Sequence, residues 1–212
     1  MPPVLDCLLL DFDGVLVRHA RHLRARHLAA SLGCSAAQIQ AALFDSGLEQ
    51  QHDAGLDSTD YLQQLGVALH TSVSVAHWQA ARIAASPPQT GVIERVQRIA
   101  RRLPIAILTN NGALMAQTIP LILPTLATAL HGRILCSGAL GGRKPDPAVY
   151  VQALARLGVR AERTLFIDDL FVNVRGARLA GLHAETANDS RGFNKVLKRY
   201  GLAAQPIDEE PP

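Results

Sequence analysis

The chain has 212 residues, of which 48% are hydrophobic and 18% charged, with a formal net charge of +3 and a sequence pI near 9.0. That composition excludes a disordered chain, and no apolar run approaches the ~20 residues needed to cross a bilayer. The mild basic excess suits anionic small molecules and falls short of a nucleic-acid footprint. Cys7, Cys34 and Cys136 are odd in number and widely spaced, with no C-x-x-C pair. They read as free thiols, neither a disulfide framework nor a zinc site, and the histidines show no metal-site spacing either.

In chain order, the first predicted element is a strand over residues 5–10. No basic leader or small-residue cleavage site precedes it, so the N-terminus reads as structure and the chain as cytoplasmic. Between that strand and Pro87-Pro88 the texture changes to Ala-rich segments with helical periodicity over 22–32, 36–44, 58–65 and 74–83. Ser35 and Ser58 are expected as helix N-caps, and Gly33 and Gly66 as helix stops. The basic stretch 18–27 spreads its charges around the circumference and reads as a solvated helix. His19 and His22 either face a cleft or are solvated, and Trp78 reads as core packing.

After linkers at 15–18 and 85–89, a helix is expected over 90–102, then strands at 105–108 and 133–136. A helix at 147–157, a strand at 164–167, a helix at 173–179 and a weaker strand at 182–185 complete the pattern. Alternating strands and helices imply an α/β fold, a Rossmann-like parallel sheet with helices on both faces. The expected division is a core of residues 1–15 and 88–203, a helical insertion at 16–87, and a polar, Pro-rich tail at 204–212 that frays.

The end of the first strand reads Leu-Leu-Asp11-Phe12-Asp13-Gly14, two carboxylates one residue apart where a buried strand emerges. Ligands of open α/β sheets bind at such strand ends. One carboxylate can attack, the other can handle protons, and the glycine permits a tight turn. Thr109-Asn110 follows the second strand, Lys144-Pro145 follows a Gly-rich stretch, and Asp168-Asp169 ends the fourth strand.

In order and context these four segments resemble the signature motifs of the haloacid dehalogenase-like hydrolase superfamily, and the resemblance covers nearly the whole chain. The insertion after the first strand is similar to what that superfamily calls a C1 cap. The resemblance implies that Asp11 is the nucleophile, forming an aspartyl-phosphate, and that Asp13 is general acid and then base. Dehalogenases of the superfamily usually lack an Asp at the Asp13 position, so this residue favours phosphoryl transfer. The resemblance further implies a Mg²⁺ ion held by the Asp11 carboxylate, the Asp13 backbone carbonyl and an acidic residue of Asp168-Asp169. The family pattern points to Asp169 as direct ligand with Asp168 positioning a metal-bound water or Lys144; the residues themselves do not rank the two. Thr109 and Asn110 would bind phosphate through a hydroxyl and backbone N–H groups at a helix N-terminus, and Lys144 would add a positive charge. Asn173 either hydrogen-bonds within the last motif or caps a helix.

The implied activity is Mg²⁺-dependent hydrolysis of a small phosphate monoester, such as a sugar phosphate, by a monomer or homodimer with no nucleic-acid or membrane partner. The segments around Lys144 and Asp168 are also similar to those of bacterial sugar-phosphate phosphatases and the N-terminal phosphatase domain of soluble epoxide hydrolase. A mutase of the β-phosphoglucomutase type shares the four motifs and remains an alternative, as does a non-catalytic binding protein of the same fold. A phosphonate-cleaving enzyme is disfavoured, because residues 15–89 contain no lysine for a Schiff base.

Overall fold

A computed structural model describes residues 2–203. Five parallel strands form one sheet: β1 (Cys7–Leu10), β2 (Ile105–Thr109), β3 (Ile134–Cys136), β4 (Thr164–Asp168) and β5 (His183–Thr186), in the order β3-β2-β1-β4-β5. The two central neighbours of β1 flank it in register, Leu9 opposite Ala106 of β2 and Phe166 of β4. Because strand side chains alternate, Leu8, Leu10, Ile105, Ile107, Leu165 and Ile167 fill one face. Cys7, Leu9, Ala106, Leu108 and Phe166 fill the other. Both faces are buried, which explains why these strands read as continuous apolar runs.

The insertion runs through α1 (Arg21–Leu32), α2 (Ala36–Gln40), a π-helical turn (Ala41–Asp45), α3 (Leu48–Asp53), α4 (Ser58–Leu69) and α5 (Val75–Ala84). Its outgoing and returning segments lie side by side, with Arg18 N–H donating to Pro87 O, Ala20 N–H to Ala85 O and Gln89 N–H to Leu16 O. The core then continues through α6 (Thr90–Ala100), α7 (Met115–Ile122), α8 (Pro147–Leu157), α9 (Phe171–Leu179) and α10 (Ser190–Arg199). Helix α5 packs on α7, and α1 on α5, so the insertion rests on the same side of the sheet as α7.

Several local expectations change. Ser35 is an N-cap, and with Gln38 it forms a capping box; Gly33 ends α1 in the left-handed conformation. Ser58 is not the cap of α4: Asp57 accepts from the amides of Thr59 and Asp60, and Ser58 Oγ instead meets His52 Nε2 at 3.1 Å. Gly66 is not a stop either. The helix runs on to Leu69 and ends at left-handed His70, while a Cβ at Gly66 would press on the carbonyl of Thr71. Of the basic stretch only residues 21–27 are helical; Arg21, His22, Arg26 and His27 are exposed, Arg24 is buried, and His19, ahead of the helix, is half-buried. Trp78 is buried core, as are Cys7 and Cys136; Cys34 is half-buried, and all three thiols are free. Helices α3 and α10 were not anticipated as elements. The tail at 204–212 lies outside the described residues. Among those described, no helix is long and apolar enough to cross a membrane.

Candidate active site

The C-terminal ends of the three central strands converge on one cavity of about 400 Å³. Asp11, Asp13, Thr109, Asn110, Lys144 and Asp169 line it, together with insertion residues Arg21, Arg24, Phe44, Glu49, Asp53 and Arg82. The order reverses around β1, so its end opens onto a crevice between the connections of β2 and β4.

Asp11 follows β1 directly, and its amide donates to Ile167 O. Its Oδ1 accepts from the amide of Phe12 at 2.7 Å and lies 2.9 Å from Lys144 Nζ. Its Oδ2 has no hydrogen-bond partner among the described residues. Lys144, fully buried, also donates to Asp168 Oδ2 at 2.6 Å. Burial would lower the lysine's pKa, but the two carboxylates hold it above its ordinary value.

Two devices fix the Lys144 backbone. The Asn110 amide group donates to Lys144 O and accepts from Lys144 N, both at 2.9 Å. Gly176 of α9 lets Pro145 lie against the helix, where any Cβ would overlap the Pro145 carbonyl. The side chain of Asn110 therefore serves the lysine loop. The expectation of a helix N-terminus at this motif is corrected: α7 begins only at Met115, and the Gly112 amide is already taken by Asp53 Oδ1 at 2.9 Å. Thr109 Oγ1 accepts from Asn111 Nδ2 at 2.7 Å.

Asp168 is completely buried and saturated by donors. Oδ1 takes the Leu170 amide at 2.8 Å, and Asn173 Nδ2 reaches both oxygens at 3.0 and 3.1 Å, beside the lysine. Asn173 thus works within the motif and does not cap α9, whose N-cap position is Leu170. Asp169 is half-buried and folds over Gly14, which has φ +85°; a Cβ there would overlap the Asp169 carboxylate. One carboxylate oxygen from each of Asp11, Asp168 and Asp169 lies within 4.8 Å of the others, a group that could hold a metal ion. Burial among the acids, only partly countered by Lys144, pushes the Asp11 carboxyl well above its ordinary value. Three carboxylates facing one lysine leave the cluster short of positive charge, and an all-oxygen donor set of this kind fits a hard divalent cation.

Asp13 points away from that cluster. Both its oxygens meet Arg82 Nη2, at 2.8 and 2.6 Å, and Asn111 Nδ2 donates to Oδ2 at 2.9 Å. Burial would raise its pKa, yet Arg82, His19 and Asn111 hold the carboxyl below the usual range. His19, which accepts from Arg82 Nη1, is pushed down to about 4 by burial and by that guanidinium, so it is neutral. Of the two histidines left open, His19 faces the cavity and His22 is exposed.

Sequence reasoning raised His19 but did not single out the insertion's Glu49, Asp53, Tyr61 or Arg82. Arg24 pairs with Glu49 through both terminal guanidinium nitrogens, Tyr61 OH donates to Glu49 Oε2 at 2.6 Å, and Trp78 Nε1 donates to Tyr61 OH at 3.0 Å. The His52 ring stacks on Tyr61 with centroids 4.1 Å apart and lies against Gly112, where a side chain would collide with it. One readable signal existed: Trp78 and Arg82 are four residues apart on α5 and so share its buried face.

The family model for haloacid dehalogenase-like hydrolases matches residues 5–181, and the chain belongs to that family. A phosphatase of Mycobacterium tuberculosis is 36% identical over 101 residues, a stretch that spans 46% of this chain and 44% of that relative's length. The fold is similar to that of a HAD-like family hydrolase from Porphyromonas gingivalis, with a TM-score of 0.72 and 19% identity, covering 92% of this chain and 97% of that one. A HAD family enzyme from Bacteroides thetaiotaomicron, solved in complex with magnesium and inorganic phosphate, aligns with a TM-score of 0.67 and 17% identity over 86% of this chain and 93% of that one.

Proposed function

We propose that this hydrolase is a Mg²⁺-dependent phosphomonoesterase acting on a small phosphorylated metabolite through an aspartyl-phosphate on Asp11. The observation that carries the reading is the state of Asp11: a buried strand-end carboxylate with Oδ1 held by Phe12 and Lys144 and Oδ2 unengaged beside the cavity. Oδ2 attacks phosphorus, the ester bond breaks, and the leaving oxygen takes a proton from Asp13, which must enter the cycle protonated although Arg82, His19 and Asn111 hold its carboxyl below the usual range in the free site. Asp13 then takes a proton from the water that attacks the aspartyl-phosphate, regenerating Asp11 and releasing phosphate. Lys144 offsets charge on the transferring group, and Thr109 supplies its hydroxyl to a phosphate oxygen, with Asn110 contributing a backbone N–H.

Mg²⁺ would be held by Asp11, Asp169 and the Asp13 backbone carbonyl, and when bound it neutralises the charge between nucleophile and phosphate. Asp168, its oxygens occupied by Lys144, Asn173 and Leu170, fits a role in positioning the lysine. Residues 16–87 act as a C1-type cap that meets the leaving group. The phosphatase relative and the neighbour bound to magnesium and phosphate support this reading.

The test is phosphate release from several dozen phosphate esters with Mg²⁺ and with excess chelator, for the wild type and for Asp11→Asn. Release that needs Mg²⁺ and is lost in the variant supports the reading; isomerised sugar phosphate without free phosphate would mean a mutase. Full activity in chelator, or chloride release from 2-chloropropionate, would overturn it.

A further inference from the structure

Among the buried residues of α5, Trp78, Ala81 and Arg82, only Arg82 carries a charge. A buried guanidinium is costly unless it is paired and its donors are satisfied. The insertion meets this requirement internally for Arg24, which pairs with Glu49 of α3. For Arg82 it does not: the acidic partner is Asp13, across the cavity in the core. The remaining donors are distributed as well. Nη2 lies 3.2 Å from Asn111 Oδ1, Nε lies 3.2 Å from Met115 Sδ, and Nη1 meets His19 Nδ1 just ahead of α1. One side chain of the insertion thus touches the loops after β1 and β2 and the first turn of α7.

We infer that Arg82 is a positioning residue, through which the seated insertion holds Asp13 in the orientation that delivers a proton to the leaving oxygen. The inference rests on Asp13 being the proton-handling carboxylate. Asp13 follows Asp11 on a turn and keeps about a quarter of its side chain exposed, so its own packing does not restrict it to one rotamer. Two contacts from Arg82 and one from Asn111 do. Asn111 is itself oriented by donating from Nδ2 to Thr109 Oγ1 and accepting at Oδ1 from Arg82 Nη2, so the guanidinium and the amide set one another. Lysine could not substitute, because a single ammonium cannot reach Asp13, His19 and Met115 from three separate nitrogens. Misplacement of a proton donor by about 1 Å costs on the order of a hundredfold in rate. The loss falls on leaving groups that need the proton.

The test compares wild type, Arg82→Lys and Arg82→Gln on phosphate esters of graded leaving-group pKa, from p-nitrophenyl phosphate through phenyl phosphate to glycerol 2-phosphate, with kcat and KM read separately. Both variants should lose roughly 10- to 100-fold in kcat on the poor leaving groups and several-fold less on p-nitrophenyl phosphate, with KM little moved. Equal losses across the series, or none, would overturn the inference, since a purely structural role would move every substrate alike. In parallel, Asp13→Asn and Arg82→Gln are combined and melted. The double variant should lose less in Tm than the sum of the single losses. Additive losses overturn the Arg82 inference whatever the activity. Non-additive losses in a protein that releases phosphate from no ester overturn the hydrolase reading instead, and with it the catalytic sense of the contact.

Discussion

Asp53 of the insertion and Gly112 of the core are joined by a 2.9 Å hydrogen bond from the glycine amide to the carboxylate. The contact exists because Gly112 has no side chain to strike His52, the neighbour of Asp53 on α3. Ser137 Oγ reinforces it by donating to Asp53 O at 2.7 Å. Helix α3 is therefore fastened to the ends of β2 and β3.

That fastening is pH-dependent. Burial and the charge of Glu49 push the Asp53 carboxyl from 3.8 up to about 7. Between those values the folded protein keeps a proton that the unfolded chain releases, so the group's contribution to stability falls as pH rises through the window and levels off above it. Asp53→Asn keeps an acceptor for Gly112 without the charge. The variant should melt roughly 2–4 °C above wild type at pH 8 and at the same temperature at pH 4. A shift independent of pH would contradict the assignment.

Lys144→Met removes the only cation between Asp11 and Asp168 among the described residues. Breaking a buried pair from one side costs about 3–5 kcal/mol, and losing charge stabilisation at the transferring group costs on the order of a hundredfold in kcat/KM. Denaturant melts in chelator, alongside steady-state kinetics in Mg²⁺, measure the two separately. Near-normal turnover would remove the lysine from the phosphate site.

Gly14→Ala places a methyl group where the Asp169 carboxylate now sits, on a backbone with φ +85°. The strained conformation costs about 1–2 kcal/mol. Displacing Asp169 should raise the Mg²⁺ concentration for half-maximal activity roughly tenfold, if a direct carboxylate ligand is lost. An unchanged Mg²⁺ requirement would argue that Asp169 is not a ligand.

Tyr61→Phe leaves buried Trp78 Nε1 without its acceptor and strips half-buried Glu49 of one donor. Unsatisfied buried polar groups cost about 1–3 kcal/mol each. The variant should lose stability by that order in urea, and Trp78 fluorescence should shift, since the indole N–H loses its partner. A thermodynamically silent substitution would mean the network contributes little.

The sheet and the four strand-end motifs were legible because each is local. A buried strand announces itself by its apolar run, and Asp11, Thr109, Lys144 and Asp168 each follow one or a Gly-rich turn within a few residues. The insertion's contribution was not legible, because Arg24, Glu49, Asp53, Tyr61 and Arg82 meet only through tertiary packing of four helices. Smaller misreadings have the same origin. Asp57 and Ser58 are both good N-cap residues, and only the demand of His52 for a hydroxyl separates them. Gly66 resembles a helix stop, yet it serves the close approach of the Thr71 carbonyl. Asn173 could not be assigned until Asp168 was seen to be enclosed behind it.

The insertion leaves the core at Val17 and returns at Pro88, two residues paired by a single bridge. The ends of this long excursion are neighbours, so the core experiences it as a closed loop. Closing a loop costs entropy that grows only logarithmically with length, about 0.6 kcal/mol for each doubling. Material can therefore be added to or removed from the insertion without shifting the register of β1 against β2 and β4, on which the carboxylate cluster depends. The insertion is free to vary in size while the strand-end carboxylates it covers stay fixed.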